Sequence, residues 1–418
     1  MAAIFDPQKA NDDRYYRAYR QITAGPYVLT SEQGLNMRID GLTIADVAMQ
    51  PARLQLPKLL TMMAPAGPAS PTPAQAREMM ETAAKVYEGI RIGNAEMRSV
   101  SVQGPKGPVQ LLAVRFNLEN GKIGELAFEG LDAPAPQGPV KIGRFALKAL
   151  DLSNLMRMAA QVSEQKPSLD QALALIPLIE GIEVKGFVAP YKDTNEAINI
   201  DVFNLDWGQF IGPIPSKARL TMKMSAPLDA SDPRQKVLVA GGLDRAAIDL
   251  DLGAAWTETA GTFVLEPVAL EFGGLVKASA RVSLTNVPQG AFSVNPAKAI
   301  AAAGQLEVGA IEFTVHDTGG IDLAFAQYAR ALAVSRDAAR QSFVDEIKAS
   351  SEQAAAAANP DTVDALEALA RFLESPGQTL VIKLTPLGKV PALQLVQQLK
   401  TDPLAALAQF QVQASTGL

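Results

Sequence analysis

"KIGRFALKALD", residues 141–151, follows closely on "KIGELAFEGLD", residues 122–132, and the two agree at nearly every apolar position. Ile142, Phe145, Leu147 and Leu150 stand where Ile123, Leu126, Phe128 and Leu131 stand, while Gly143 and Asp151 match Gly124 and Asp132. "EVGAIEFTVHD" at 307–317 repeats the pattern through Val308, Gly309, Ile311, Phe313 and Asp317, with polar His316 in a leucine place. "RIGNAEMRSVS" at 91–101 fits at Ile92, Gly93, Ala95, Met97 and Val100 but lacks the acid. The spacing of two in Leu126/Phe128 and Phe145/Leu147 predicts strands that carry these side chains on one face. The glycine breaks the alternation, which predicts a bulge or a close backbone approach. The change to spacing three at Leu150 predicts that the strand bends or ends there.

Asp151 is followed by "LSNLMRMAA" and Asp317 by "TGGIDLAFAQYA", so each carboxylate stands at the start of an expected helix. There it can cap free amides and complement the helix dipole, a role that needs no second carboxylate. One strand-to-helix device is thus reused along the chain, and reuse of this kind predicts stacked supersecondary units around an elongated core.

The chain has 418 residues and is 48% hydrophobic, enough for roughly two or three domains with real cores. Lys and Arg number 38 against 44 Asp and Glu, a formal charge of -6. No basic block exists to track a phosphate backbone, so nucleic acid is not an expected partner. With no cysteine and one histidine, disulfides, thiolate metal sites and histidine-cluster ligation are excluded, and neither a metal nor a cofactor is expected. No apolar run reaches the roughly 18–20 residues that cross a bilayer as a helix.

Alternation at Leu35, Met37, Ile39 and then Leu42, Ile44 predicts strands over 26–50, and helices are expected at 56–64 and 70–90. Strands dominate 90–150, helices are expected at 152–163 and 168–180, and a second strand set runs over 181–316. The remainder reads as a long helix over 321–350, a helix capped by Asn359 and stopped at Pro376-Gly377, a lone strand at 378–386, and helical segments at 391–399 and 402–410. "YYRAYR" at 15–20 reads either as an aromatic and basic cluster that meets lipid headgroups or, equally well, as a surface helix packed on its tyrosines. The expected organisation is an N-terminal strand-repeat region with helices (1–180), a central antiparallel region (181–318) and a helical C-terminal region with one strand (319–418). The fold class is α+β, with repeated, mostly antiparallel amphipathic strands and helices packed on one face.

"DLDLGAAWTETAGTFVLEPVALEFGGLVKASARVSLTNVP" at 249–288 strings alternating strands between short turns, and "LVIKLTPLGKVPALQLVQQLKTDPLAALAQFQV" closes the chain from 380 to 412. This rhythm resembles the AsmA-like extracytoplasmic strand-repeat proteins of proteobacteria. The resemblance implies a membrane-associated periplasmic protein, usually tethered by an N-terminal helix, with long twisted sheets whose apolar face holds lipid acyl chains. The chain differs in its modest length, its helical last third and the lack of a recognisable tether. No functional residues carry over.

Candidate chemistry is sparse. His316 beside Asp317 has no nucleophile marked by a local motif, and neighbouring strand residues face opposite sides. Asp249 and Asp251, and Asp12 and Asp13, lack the ligand-rich loop that calcium needs. The methionine pairs Met62/Met63, Met79/Met80, Met156/Met158 and Met222/Met224 read as core filler in a chain without cysteine. "AGGLDRA" and "FGGLVK" lack the lysine and the spacing of a phosphate loop. No catalytic residue is expected. The expectation is a non-enzymatic cell-envelope protein that binds a lipid or other apolar small molecule in a sheet-lined groove, with Leu126, Phe128, Phe145, Leu147, Ile311 and Phe313 as lining residues. A membrane surface or a protein partner completes the expected contacts. The alternative is an assembly scaffold that uses its sheet edges and the 321–350 helix. Envelope placement assumes a signal or anchor that these residues do not carry; the alternative is cytoplasmic.

Overall fold

The computed structural model describes residues 11–30, 36–54, 72–104, 107–160, 172–192, 194, 196–356 and 360–417. Among them are sixteen strands and nine α-helices, and the strands pair antiparallel, so the α+β class with a large antiparallel sheet holds. The chain divides into two compact units, Met1–Asp206 and Trp207–Leu418, whereas the sequence placed its boundaries near 180 and 318.

In the first unit β1 (Tyr16–Ala24) and β2 (Tyr27–Thr30) both pair with β3 (Asn36–Met49). β4 (Ile90–Gly104), β5 (Gly107–Glu119), β6 (Lys122–Ala133), β7 (Val140–Asp151), β8 (Gly181–Pro190) and β9 (Ala197–Ile211) follow in sequence order, each beside its predecessor. Helices α1 (Pro73–Glu88) and α2 (Leu152–Ala159) are inserted in the connections β3–β4 and β7–β8. A meander returns every second connection to the same end of the sheet, so α1, α2 and the β5–β6 turn meet there. Ser153 joins them, its N–H donating to Gly121 O at 3.1 Å and its hydroxyl to Ala84 O at 3.1 Å. Glu88 adds ion pairs to Arg53 and Arg157.

The repeat accounts for this sheet. Leu126 lies opposite Leu147 and Phe128 opposite Phe145, so the look-alike elevens are adjacent strands whose apolar pairs stack across the ladder. Their glycines sit opposite a kink in the neighbouring strand. Gly124 faces Ala149, whose φ is +50°, and Gly143 faces Gly130, at φ +64°. Near Gly93, Asp46 has φ +52°. A left-handed residue within a strand turns the backbone and shifts the alternation by one place, which is why the apolar spacing changes from two to three beside each glycine. In the fourth copy the register slips between Ile311 and Val308, so Gly309 occupies a bulge.

A Cβ at Gly309 would stand 2.4 Å from Ser283 Oγ and 3.2 Å from Ser283 O. That hydroxyl is held by Ala310 O at 2.9 Å and cannot swing away without losing the bond. Gly309→Ala is expected to destabilise the second unit by about 1–3 kcal/mol. Gly208→Ala, where no atom lies within 4 Å, is expected to cause no loss. Urea denaturation of the two variants checks the pair.

The second unit continues with β10 (Ile214–Pro227), β11 (Arg245–Thr257), β12 (Thr262–Phe272), β13 (Val276–Thr285), β14 (Glu307–Asp317), β15 (Thr379–Pro386) and β16 (Phe410–Gly417), again in sequence order. Its helices are α3 (Lys236–Ala240), α4 (Pro296–Ala303), α5 (Gly320–Leu332), α6 (Arg336–Ala356), α7 (Pro360–Glu374), α8 (Ala392–Thr401) and α9 (Pro403–Leu407). Phe372 and Ala368 of α7 pack on Leu380, Val315, Ile382 and Ala414, while Val390, Leu395 and Ala406 pack on Val308, Phe410, Val412 and Leu384. Helices therefore cover the apolar side of β14–β16.

Several expectations need correction. "YYRAYR" enters strand β1 and is no helix, because its Tyr, Ile and Thr neighbours extend along the edge of β3. The 168–180 helix reduces, among described residues, to a 3₁₀ turn at Ile176–Leu178 next to a short helical stretch at 172–173; Pro177 denies it the donor that propagation needs. The 321–350 helix is two helices, broken at Ala333 (φ +56°) and restarted where Ser335 accepts from Ala338 N at 3.2 Å. The strand at 378–386 is not alone, since it pairs with β14 and with β16, a strand that the helical reading of 402–410 stopped short of. Met79 and Met80 are 40% and 38% exposed and so fill no core, while Met222 and Met224 do share one strand face. The helix expected at 56–64, Met62/Met63 and the Asn359 cap lie outside the described residues.

Candidate functional site

Register carries apolar side chains across the first unit in unbroken rows. One row runs Ile44, Ala95, Phe116, Leu126, Leu147, Ile182, Leu205, and the next runs Leu42, Met97, Val114, Phe128, Phe145, Val184, Phe203. From β4 to β9 these rows extend about 24 Å at the usual strand spacing. Phe128 and Phe145 lie with ring centroids 6.0 Å apart, tilted by 39°, a geometry that leaves ring faces and edges open to further apolar contact.

The opposite face is charged and internally paired. Arg115 reaches Glu96 at 3.0 Å and Glu129 at 2.6 Å, and Arg144 reaches Glu129 at 2.9 Å, Glu183 at 2.8 Å and Glu125 at 2.6 Å. Lys185 closes on Glu183 at 2.8 Å and Lys148 on Asp206 at 2.6 Å. Signs alternate strand by strand from β4 to β7, β8 carries both signs, and the aliphatic stems roof over Ala127 and Ala146, both 0% exposed. Burial alone would push the Glu183 carboxyl up; hydrogen bonds from Lys185 and Arg144 outweigh it and hold the group below its ordinary value. This face is satisfied in water. The apolar face is not: Leu126, Phe128, Phe145, Leu147, Ile182, Val184, Phe203 and Leu205 are all only half-buried. Deep burial on that side is confined to smaller or more peripheral residues such as Ala95, Val114 and Leu118.

The second unit has the same two faces. Its apolar rows include Leu220, Leu252, Val268, Ala280, Phe313, Ile382, Ala414 and, beside it, Ala254, Leu265, Val282, Ile311, Leu384, Val412. Ile311 is packed beneath the helices that cover β14–β16, while Phe313 is 40% exposed and Leu270 38%. Of the six side chains singled out in the sequence, four therefore meet in one patch of the first unit. The other two lie on the matching face of the second. The repeat could not have revealed Ile182, Val184, Phe203 and Leu205, which belong to strands outside it, although their alternation in "GIEVKGF" and "DVFNLDW" is the available signal.

The repeat's aspartates are structural. Asp151 accepts from Asn154 N at 2.9 Å and caps α2. Asp317, 2% exposed, accepts from Gly319 N at 3.2 Å, Ile321 N at 2.9 Å and Gly377 N at 3.0 Å, which ties the start of α5 to the end of α7. Asp132 faces Lys141 and caps nothing.

His316 lies on the polar face between Lys277 and Thr379, its Nδ1 2.9 Å from Thr379 Oγ1. A shallow depression of about 330 Å³ gathers it with Asp249, Asp251 and Glu271. These carboxylates are already paired, Asp251 with Arg219 at 2.7 Å, Glu271 with Lys277 at 3.2 Å and Asp249 with Lys223 at 3.9 Å. The depression is a furrow of the charge ladder. Among the described residues no group of three His, Asp or Glu could hold a metal ion, and no helix is long and apolar enough to cross a membrane.

A family model described only as an uncharacterized protein matches residues 269–417, from within β12 to the end of β16. No curated protein and no solved structure matches the chain.

Proposed function

We propose that the chain is a non-enzymatic cell-envelope protein that binds lipid acyl chains on the apolar face of its strand units. The observation that carries this reading is the pair of continuous, half-exposed rows through Leu126–Leu147 and Phe128–Phe145. Their reach of about 24 Å suits an extended hydrocarbon chain better than a compact metabolite, and apolar surface of this extent on a sheet with one satisfied polar face calls for a cover. Groups that would orient a polar ligand are missing from the rows, so affinity rests on burial and selectivity is low. The proposed kinship with AsmA-like proteins, and the envelope location that goes with it, draw on the same two-faced strand units.

Native mass spectrometry of gently purified full-length chain tests the reading. Adduct masses that organic extraction removes and that fragment as acyl lipids are the expected result; an adduct-free monomer that takes up no added fatty acid would contradict it. A second reading, an assembly scaffold, draws on the exposed side chains Tyr328 and Leu332 on α5, Val334 in the break after it and Phe343 on α6, with Tyr328 and Phe343 in ring contact. In the same spectra it would give oligomers without lipid.

A further inference from the structure

The apolar rows of the second unit are open at one end and covered at the other. Leu250, Leu270, Ala278, Val315 and Leu380 lie opposite one another across β11–β15, and exposure falls from 38% at Leu270 to 4% at Leu380. In the next row Phe313 is 40% exposed, while Ile382 and Ala414 beyond it lie under α7. The cover is a pair of helices with a core of its own, in which Val344, Ile347 and Ala370 pack with Leu366, Leu369 and Leu373 between α6 and α7. Toward the sheet α7 presents Ala368 and Phe372. A body that keeps its own core can shift as a unit.

Its two attachments are short and exposed. Residues 331–338, between α5 and α6, are all exposed and include Ala333 at φ +56°; residues 374–377, after α7, are exposed and include Gly377 at φ +83°. The start of α5 is held fast, since Thr318 N and Gly320 N both donate to Leu275 O at 2.9 Å and Asp317 takes Gly319 N and Ile321 N. After α7 the chain is tied by Gly377 N to Asp317 at 3.0 Å. Asp322 latches α6 to α5 by pairing with Arg336 at 3.6 Å and with Arg340, and Phe343 packs against Phe325 and Tyr328. The latch is imperfect: among the described residues the buried Arg340 Nε meets no acceptor, a cost that opening would relieve.

We propose that the α6–α7 pair is a lid on the sheet, which swings about 333–335 and 375–377 to uncover Leu380, Ile382 and Ala414 and so lengthens the apolar rows for a hydrocarbon chain. Closed, the pair buries Ala368, Phe372 and Leu380 against one another. A chain lying against Leu270 and Phe313 gains contact with Ile382 and Ala414 only when the lid is open, and that differential contact shifts the equilibrium. α8 has no such freedom, because Leu395 is buried in the core with Val390, Phe410 and Val412. The hydrocarbon rests on the function proposed above; the opening does not.

The chain has no cysteine, so Glu367→Cys/Lys383→Cys places two spin labels and no others, one on the exposed side of α7 and one on the polar face of β15. Pulsed electron double resonance on the full chain should show one main distance, and oleate should raise the share of a longer one at least about tenfold. Asp322→Ala in the same chain should raise that share about tenfold without oleate, because it removes a charge-assisted hydrogen bond of the closed form. Asp337→Asn, at an exposed acid on α6, should leave the distances as they are. Distances unmoved by oleate in a chain that binds a fluorescent fatty acid, or unmoved in Asp322→Ala, would overturn the proposal. So would longer distances accompanied by a loss of helical circular dichroism, which assign the change to unfolding of α6 and α7. Longer distances in Asp322→Ala from a chain that takes up no fatty acid defeat the lipid-binding reading and leave the lid standing.

Discussion

Asp317→Ala is expected to lower the stability of the second unit by about 3–5 kcal/mol. The carboxylate is 2% exposed and takes three backbone donors, two at the start of α5 and one from Gly377 after α7. Alanine would leave these N–H groups without an acceptor where water reaches poorly, and hydrogen bonds to a charged group are the costly kind to lose. Asp317→Asn separates the two functions: one oxygen can still cap α5, but the amide would turn an N–H toward the Gly377 N–H. An intermediate loss is expected, with faster hydrogen exchange at Gly377 and protection retained at Ile321. Asp151→Ala, where both hydrogen bonds go to the single residue Asn154 and the half-exposed Lys122 pairs only from 3.8 Å, should cost only about 1 kcal/mol. Equal losses for Asp317→Ala and Asp151→Ala in urea titrations would show that the tie between α5 and α7 contributes nothing.

Leu147→Asp is expected to reduce fatty-acid affinity by at least about a hundredfold, since an ionised carboxylate set among apolar side chains must be desolvated by any hydrocarbon that covers it. Leu147 sits in mid-row, with Leu126 on one side and Ile182 on the other, so a ligand has no way around it within that row. The residue is half-buried, and the protein alone can hydrate the new charge; folding should survive. Glu125→Gln, on the opposite face, removes an ion pair to Arg144 and should leave affinity unchanged. Titration of a fluorescent fatty acid into each purified variant reads both results. Equal affinities would remove the sheet face from the binding site.

Both expectations trace to residues of the sequence repeat or its strand ends. Period two at Leu126/Phe128 and Phe145/Leu147 yields the strand faces because side-chain alternation is a local property of extended backbone. The spacing of three beside Gly124 and Gly143 signals an irregularity, but its cause, the positive φ of Ala149 and Gly130 across the ladder, is a property of two strands together. Helices were misjudged where local and tertiary forces compete. "YYRAYR" has a helical stripe, yet the free edge of β3 captures it as a strand. Ala333 lies in an alanine-rich run that favours helix, and nothing local announces its left-handed turn apart from Ser335, the cap of the next helix. β16 alternates at Phe410, Val412 and Ala414, a pattern masked by the helix-forming residues just before it. The site was half legible. The repeat exposes four of its residues, while Ile182, Val184, Phe203 and Leu205 join through a register that only the folded sheet establishes.

The most direct measurement of whether the apolar face is the lipid-binding surface is photo-crosslinking from adjacent positions on one strand. A benzophenone amino acid is placed at Phe145, on the apolar face, or at Arg144, in the charge ladder, and the full chain is irradiated in the presence of phospholipid and analysed by mass. Lipid adducts from position 145 and none from position 144 are the predicted result. Equal labelling at the two positions, or labelling at 144 alone, would contradict the account.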